Sequence, residues 1–262
     1  MKLHLVNASQ GSQWVRQGLR TFLRQPLGLV GLFMLFALLL MGLHVLPTLG
    51  TALGLMLVPA FTSGFVRATE AVEQGKFPLP HVLVMHWVRS RVTRMRMVGL
   101  GALYLAAIVL IMLASVFVDG GTLAHFYLLG GKLEEEQLQN PGLHNAALLT
   151  LTLYLPVSMA FWHAPMLVAD ADMGPVKALF FSFVACKRNM AAFTLFGASW
   201  ALFYLALSMV VATLAVMLGG PEVLQVVVFP LTLAMAALFF TSIHYSYRDC
   251  FAPTEGDTHD AT

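Results

Sequence analysis

Six long apolar stretches, none containing an Asp, Glu, Lys or Arg, constrain this chain more than any other feature. They run over about residues 27–46, 48–66, 97–118, 145–169, 190–218 and 223–247. A membrane-spanning helix needs roughly 20 predominantly apolar residues to cross the hydrocarbon core. Each stretch is of that order. Composition supports the same reading: 58% of the residues are hydrophobic and 11% charged, whereas soluble domains carry roughly 25% charged residues. With so few charges the outer surface must face something other than water, and lipid is the simple answer. The expectation is an all-α integral membrane protein with a six-span domain over 27–247.

The order of the chain adds detail. Residues 1–26 do not read as a cleavable signal, because about 25 polar-to-amphipathic residues precede the first span. Within them Trp14, Val15, Gly18, Leu19, Phe22 and Leu23 recur at helical spacing, with Arg16, Gln17, Arg20, Thr21 and Arg24 on the other side. Such a helix lies in the headgroup plane, apolar face down and arginines toward anionic lipid. The alternative is a helix packed on the rest of the protein. Pro47 breaks the first span from the second, and Gly50 and Gly54 offer a close-packing G-x-x-x-G. Residues 119–144 read as a polar loop, with Glu134, Glu135 and Glu136 solvated. Gly219, Gly220 and Pro221 make a turn. Tyr245, Tyr247 and Phe251 suit an interfacial aromatic belt, and the tail at 248–262 is expected to be disordered and polar.

Charge sets the orientation. Of the 15 Lys and Arg, all but Lys132 fall in the N-terminal segment, in 67–96, in 170–189 or in the tail. Six spans with both termini in the cytoplasm satisfy the positive-inside rule. The densest group is Arg89, Arg91, Arg94 and Arg96, following an amphipathic stretch with Val84, Trp87, Val88, Val92 and Met95. It abuts a span and has no nucleic-acid motif, so it reads as an anchor on the cytoplasmic leaflet. Its expected partner is anionic lipid; nucleic acid is not expected.

A threefold pattern runs through the chain. Arg24-Gln25-Pro26, Arg94-Met95-Arg96 and Lys187-Arg188-Asn189 each stand before an odd-numbered span. The even-numbered spans carry Pro59, Pro156 with Pro165, and Pro230. The architecture expected is three hairpins, each preceded by a cytoplasmic amphipathic surface helix.

The chemistry is sparse. An ionisable group at mid-membrane is a functional hypothesis by default, and the spans offer only His44, His163 and His244, all near span ends. H-E-x-x-H and G-x-S-x-G are absent, and Gly130-Gly131-Lys132 lacks the spacing of a P-loop. Cys186 and Cys250 have neither metal-site nor redox-pair spacing. No catalytic residue, metal or cofactor is expected. One cluster stands out at the inner end of the fourth span: Trp162, His163, Asp170, Asp172 and Lys177. It suits a lipid headgroup or a metal, against a plain role in capping and interfacial anchoring.

The segment F-x-x-A-P-M-L-V-A-D from Phe161 to Asp170, followed by Gly174-Pro175-x-x-Ala178, Ser182 and Lys187-Arg188-Asn189, resembles uncharacterised bacterial inner-membrane proteins of the BPSS type. More distantly it is similar to YciC-type proteins and to the membrane domain beside glycerophosphoryl diester phosphodiesterases. The resemblance implies a six-span inner-membrane protein of unassigned activity; with no phosphodiesterase domain attached, that activity does not carry over. The functional expectation is a non-enzymatic accessory or organising protein that contacts anionic lipid, a membrane-protein partner or a second copy of itself. A transporter or channel for a lipid-like or uncharged solute is the alternative.

Overall fold

The computed structural model describes residues 2–46, 48–85, 90–131, 133–218 and 221–251, with the side chains of all but 218 and 221–226. The described residues form helices and their connections, with no strand among them. In order they are α1 (Gln10–Arg24), α2 (Pro26–Leu43), α3 (Leu49–Glu73), a 3-10 turn (Pro80–Leu83), α4 (Arg91–Asp119) and α5 (Thr122–Leu129). There follow α6 (Glu135–Leu138), α7 (Pro141–Phe161), α8 (Ala164–Asp170), α9 (Pro175–Arg188), α10 (Met190–Leu218) and α11 (Pro221–Phe251). Among the described residues six stretches are long and apolar enough to cross a membrane: Pro26–Leu43, Leu49–Glu73, Arg91–Asp119, Pro141–Asp170, Met190–Met217 and Val227–Phe251. The expectations placed on Pro47, Trp87, Val88, Arg89, Lys132, Gly219, Gly220 and the tail after Phe251 lie outside the described residues.

The first span ends at Leu43 rather than 46, and α11 runs on to Phe251, so residues 248–251, expected in a disordered tail, are helical. Three further boundaries differ from the sequence reading, each for a local reason. Helix α3 runs on through Glu73, with Arg67 and Glu70 joined one turn apart at 2.6 Å. Helix α4 begins at Arg91, because the Ser90 hydroxyl accepts the Thr93 N–H at 3.0 Å and caps it. Arg91, Arg94 and Arg96 therefore form the first turns of the span's own helix. The fourth span is broken at Trp162 and His163 into α7 and α8.

The chain divides into two compact units, and α2, α3 and α9 each contribute to both. The first holds Met1–Leu35, Gly64–Leu83 and Ala185–Thr262. Here α1 lies on α10 and α11. Trp14 is 0% exposed, its ring 5.3 Å from Phe193 and 6.1 Å from Phe196. Two glycines allow this approach. A Cβ on Gly11 would stand 2.0 Å from the Ala192 carbonyl oxygen, and one on Gly18 2.8 Å from the Ser242 Cβ. The apolar face expected to lie on lipid lies instead on protein. Tyr245, Tyr247 and Phe251, expected in an interfacial belt, are buried as well.

The second unit holds Phe36–Ser63 and Val84–Val184. Its core is Leu55, Tyr104, Ile108, Ile111 and Met112, with Val58, Tyr154, Val157 and Phe161 against it. Phe36 stacks on Phe61 at 3.9 Å. A Cβ on Gly50 would meet the Leu43 carbonyl oxygen at 1.8 Å, and one on Gly54 the Leu40 side chain at 3.0 Å. The paired glycines do what their spacing suggests, which is to let helices approach closely. The polar loop expected at 119–144 is not one piece: Thr122–Leu129 is helical, and Ala124 and Leu128 pack on the apolar core.

Candidate functional site

In the second unit the basic start of α4 meets the turn between α8 and α9. Met173 N–H donates to the Leu167 carbonyl at 3.3 Å, folding the chain back after α8. Asp172 sits there with φ 52°, a left-handed conformation that Asp tolerates better than most residues. Its carboxylate receives Arg96 Nη1 at 2.5 Å, and the same Nη1 also donates to the Asp172 backbone carbonyl. Around this pair Arg91, Arg94, Asp170 and Lys177 are exposed, and the Lys177 ammonium stands 5.9 Å from the centre of the Phe181 ring.

His163 does not join them. It is fully buried, and its backbone N–H donates to the Ser182 hydroxyl at 2.9 Å, which donates in turn to the Met159 carbonyl at 2.8 Å. In an unbroken helix that N–H and that carbonyl would bond each other. The hydroxyl of α9 has been inserted between them, a recognised cause of sharp kinks. Pro165 has no N–H and occupies the first turn of the new helix, where none is needed. Trp162 is half-buried at the break. The five residues grouped by sequence thus divide between a buried kink and a surface ion pair. Among the described residues no group of three His, Cys, Asp or Glu is placed to hold a metal ion.

The first unit contains a polar network that local sequence gives no sign of. Glu73, at the end of α3, receives His244 Nε2 at 2.9 Å and Arg248 Nη1 at 3.4 Å. Arg248 also donates to the Gln17 side-chain oxygen at 3.1 Å, and its guanidinium lies 4.8 Å from the centre of the Tyr245 ring. Trp14 Nε1 donates to Asp249 at 2.8 Å, and the Thr21 and Tyr245 hydroxyls are bonded to each other. Residues 14, 17 and 21 share one face of α1, so the network holds that helix along its length. Arg16 and Arg20 stay exposed. Asn189 grips the segment ahead of α1: its side chain accepts from the Val6 N–H at 2.9 Å and donates to the His4 carbonyl at 3.1 Å. Burial pushes the neighbouring Cys186 thiol well above its ordinary range.

Only distance in the chain hid this network, since its members lie about 170 to 235 residues apart. Ser182 and Asn189 were visible only as isolated letters in a short motif. The structure gives each a bond-by-bond role.

An all-helical chain with six apolar spans defines the class, a multi-pass α-helical membrane protein. Over 259 residues, 97% of its length, the chain is 38% identical to a probable inner membrane protein of Burkholderia thailandensis, of which it covers 96%. It belongs to the family of that inner membrane protein. No protein-family model matches it, and no solved structure matches it.

Proposed function

We propose that the protein is a non-catalytic accessory or organising protein of the bacterial inner membrane. It holds a basic cytoplasmic surface against anionic lipid beside a membrane partner. The observation that carries this reading is the start of α4. A helix N-terminus has a partial positive charge, and each cation there costs roughly 0.3–1 kcal/mol. Arg91, Arg94 and Arg96 all stand in the first two turns. Asp172 answers Arg96; Arg91 and Arg94 are exposed beside exposed Val92 and Met95. Mixed basic and apolar exposure at a helix end suits the headgroup layer, where anionic lipid supplies the compensating charge.

The side assignment rests on the positive-inside rule, which puts both termini in the cytoplasm and orders the spans as three hairpins with α1 and α9 as surface helices. The test is thermal stability in nanodiscs of phosphatidylcholine, with and without phosphatidylglycerol. Wild type gains stability from the anionic lipid, and the Arg91→Gln, Arg94→Gln double variant loses that gain. An equal gain in both sinks the lipid reading.

A second reading, carriage of a lipid-like solute, has one observation in its favour. A groove of about 310 Å³ runs between α10 and α11, mostly apolar but lined also by Tyr204, Ser208 and Thr232. Filling it with Ser208→Trp should abolish lipid exchange between vesicles containing the protein. Exchange at the wild-type rate, or no exchange by wild type, rejects the reading.

A further inference from the structure

We infer that α5 is a re-entrant helix immersed in the bilayer, a lipid-contacting surface at the end of α4 away from its arginines. The geometry begins with the turn. Helix α4 ends at Asp119, and Gly120 and Gly121 follow with φ of 70° and 99°. Only two residues separate α4 from α5, so the chain reverses on the spot. Ala124 and Leu128 then pack against the core whose α4 members are Tyr104, Ile108, Ile111 and Met112. Met112 lies seven residues before the end of α4, which at 1.5 Å per residue is about 10 Å back along the span. Helix α5 therefore descends beside the span it follows.

Its other face is about half open. Phe126, Tyr127 and Leu129 are exposed, and they continue an exposed apolar end of α4 that includes Phe117, 93% exposed, and Val118. Residues 122–129 include no Asp, Glu, Lys or Arg, and their exposed histidine, His125, lays its ring against Gly131; three glutamates follow at 134–136. An aqueous loop would leave three large apolar side chains in water beside Phe117; lipid removes that cost.

The backbone also suits a water-poor setting. A helix start leaves N–H groups without intrahelical partners, and in hydrocarbon each unsatisfied group is costly. The Asp119 carboxylate accepts the N–H of Gly121 at 2.9 Å and of Leu123 at 2.7 Å. Gly130, with φ 72°, ends the helix in the left-handed conformation. Lipid chains fit the uncharged face better than a soluble partner would, because the patch is continuous with a spanning helix.

The test places an environment-sensitive NBD label on Phe126→Cys and, separately, on Leu129→Cys, with Glu135→Cys as the aqueous reference. The full chain is reconstituted in nanodiscs with and without doxyl-labelled phosphatidylcholine. Cys186 and Cys250 are both buried, and unmodified protein serves as the labelling blank. Expected at 126 and 129 are blue-shifted emission and doxyl quenching several-fold stronger than at 135, with little quenching by aqueous iodide. Iodide quenching equal to that at 135 overturns the inference. Shielding from both quenchers overturns it too, since a second copy or another protein would then cover the face.

Discussion

Helices α1 and α5 both flank a spanning helix, and they are held in opposite ways. Helix α1 carries arginines and is fixed by directed bonds: Trp14 to Asp249, Gln17 to Arg248, Thr21 to Tyr245. Helix α5 has no Asp, Glu, Lys or Arg and rests on two apolar side chains, between glycines of positive φ. The first arrangement demands one geometry, because a buried donor that loses its acceptor costs about 1–3 kcal/mol. The second tolerates small shifts, because burial energy scales with area and has no direction. A basic amphipathic helix can thus be the more firmly docked of the two.

Trp14→Ala attacks the firmer side of that contrast. It removes a fully buried ring and takes one donor from the Asp249 carboxylate, which keeps Arg248 Nε at 3.3 Å; substitutions of this kind cost about 3–5 kcal/mol. Expected are a large loss of stability in a detergent denaturation series and early proteolysis within residues 10–24; wild-type protease resistance would show that α1 is not docked through Trp14. Leu128→Ala attacks the looser side. The side chain is only partly buried, so the cost should fall to about 1 kcal/mol, below the range for a fully buried leucine. A loss as large as that of Trp14→Ala would make α5 an integral part of the core and erase the contrast.

The span pattern was legible in the sequence because it rests on length and on the absence of charge, both local properties. Helix α10 begins and ends where the apolar run does. Two short helices were read less well. For α1 the periodicity gave the helix but not its partner, since a face suited to lipid is equally suited to Phe193 and Phe196. For α5, eight residues between glycines looked like loop, and only the core beside it makes them a helix. The inner-end cluster failed for another reason. Trp162, His163, Asp170, Asp172 and Lys177 are near in sequence, but the kink turns His163 inward while Asp172 stays at the surface. The glutamate–histidine–arginine network was invisible because its charges belong to span ends that only tertiary structure joins.

Asn189 has a consequence for how the protein is made. It holds residues 4 to 6, while the His4 N–H donates to the Cys250 carbonyl at 3.0 Å and Trp14 waits for Asp249. Val6 and Trp14 thus find their partners 183 and 235 residues further along the chain. Contacts this distant in sequence slow folding, so α1 stays without its α11 partners until that helix has been made. Without the final turn of α11, Trp14 would keep Phe193 and Phe196 but lose its Asp249 acceptor, and α1 would sit on α10 as a loosely latched flap.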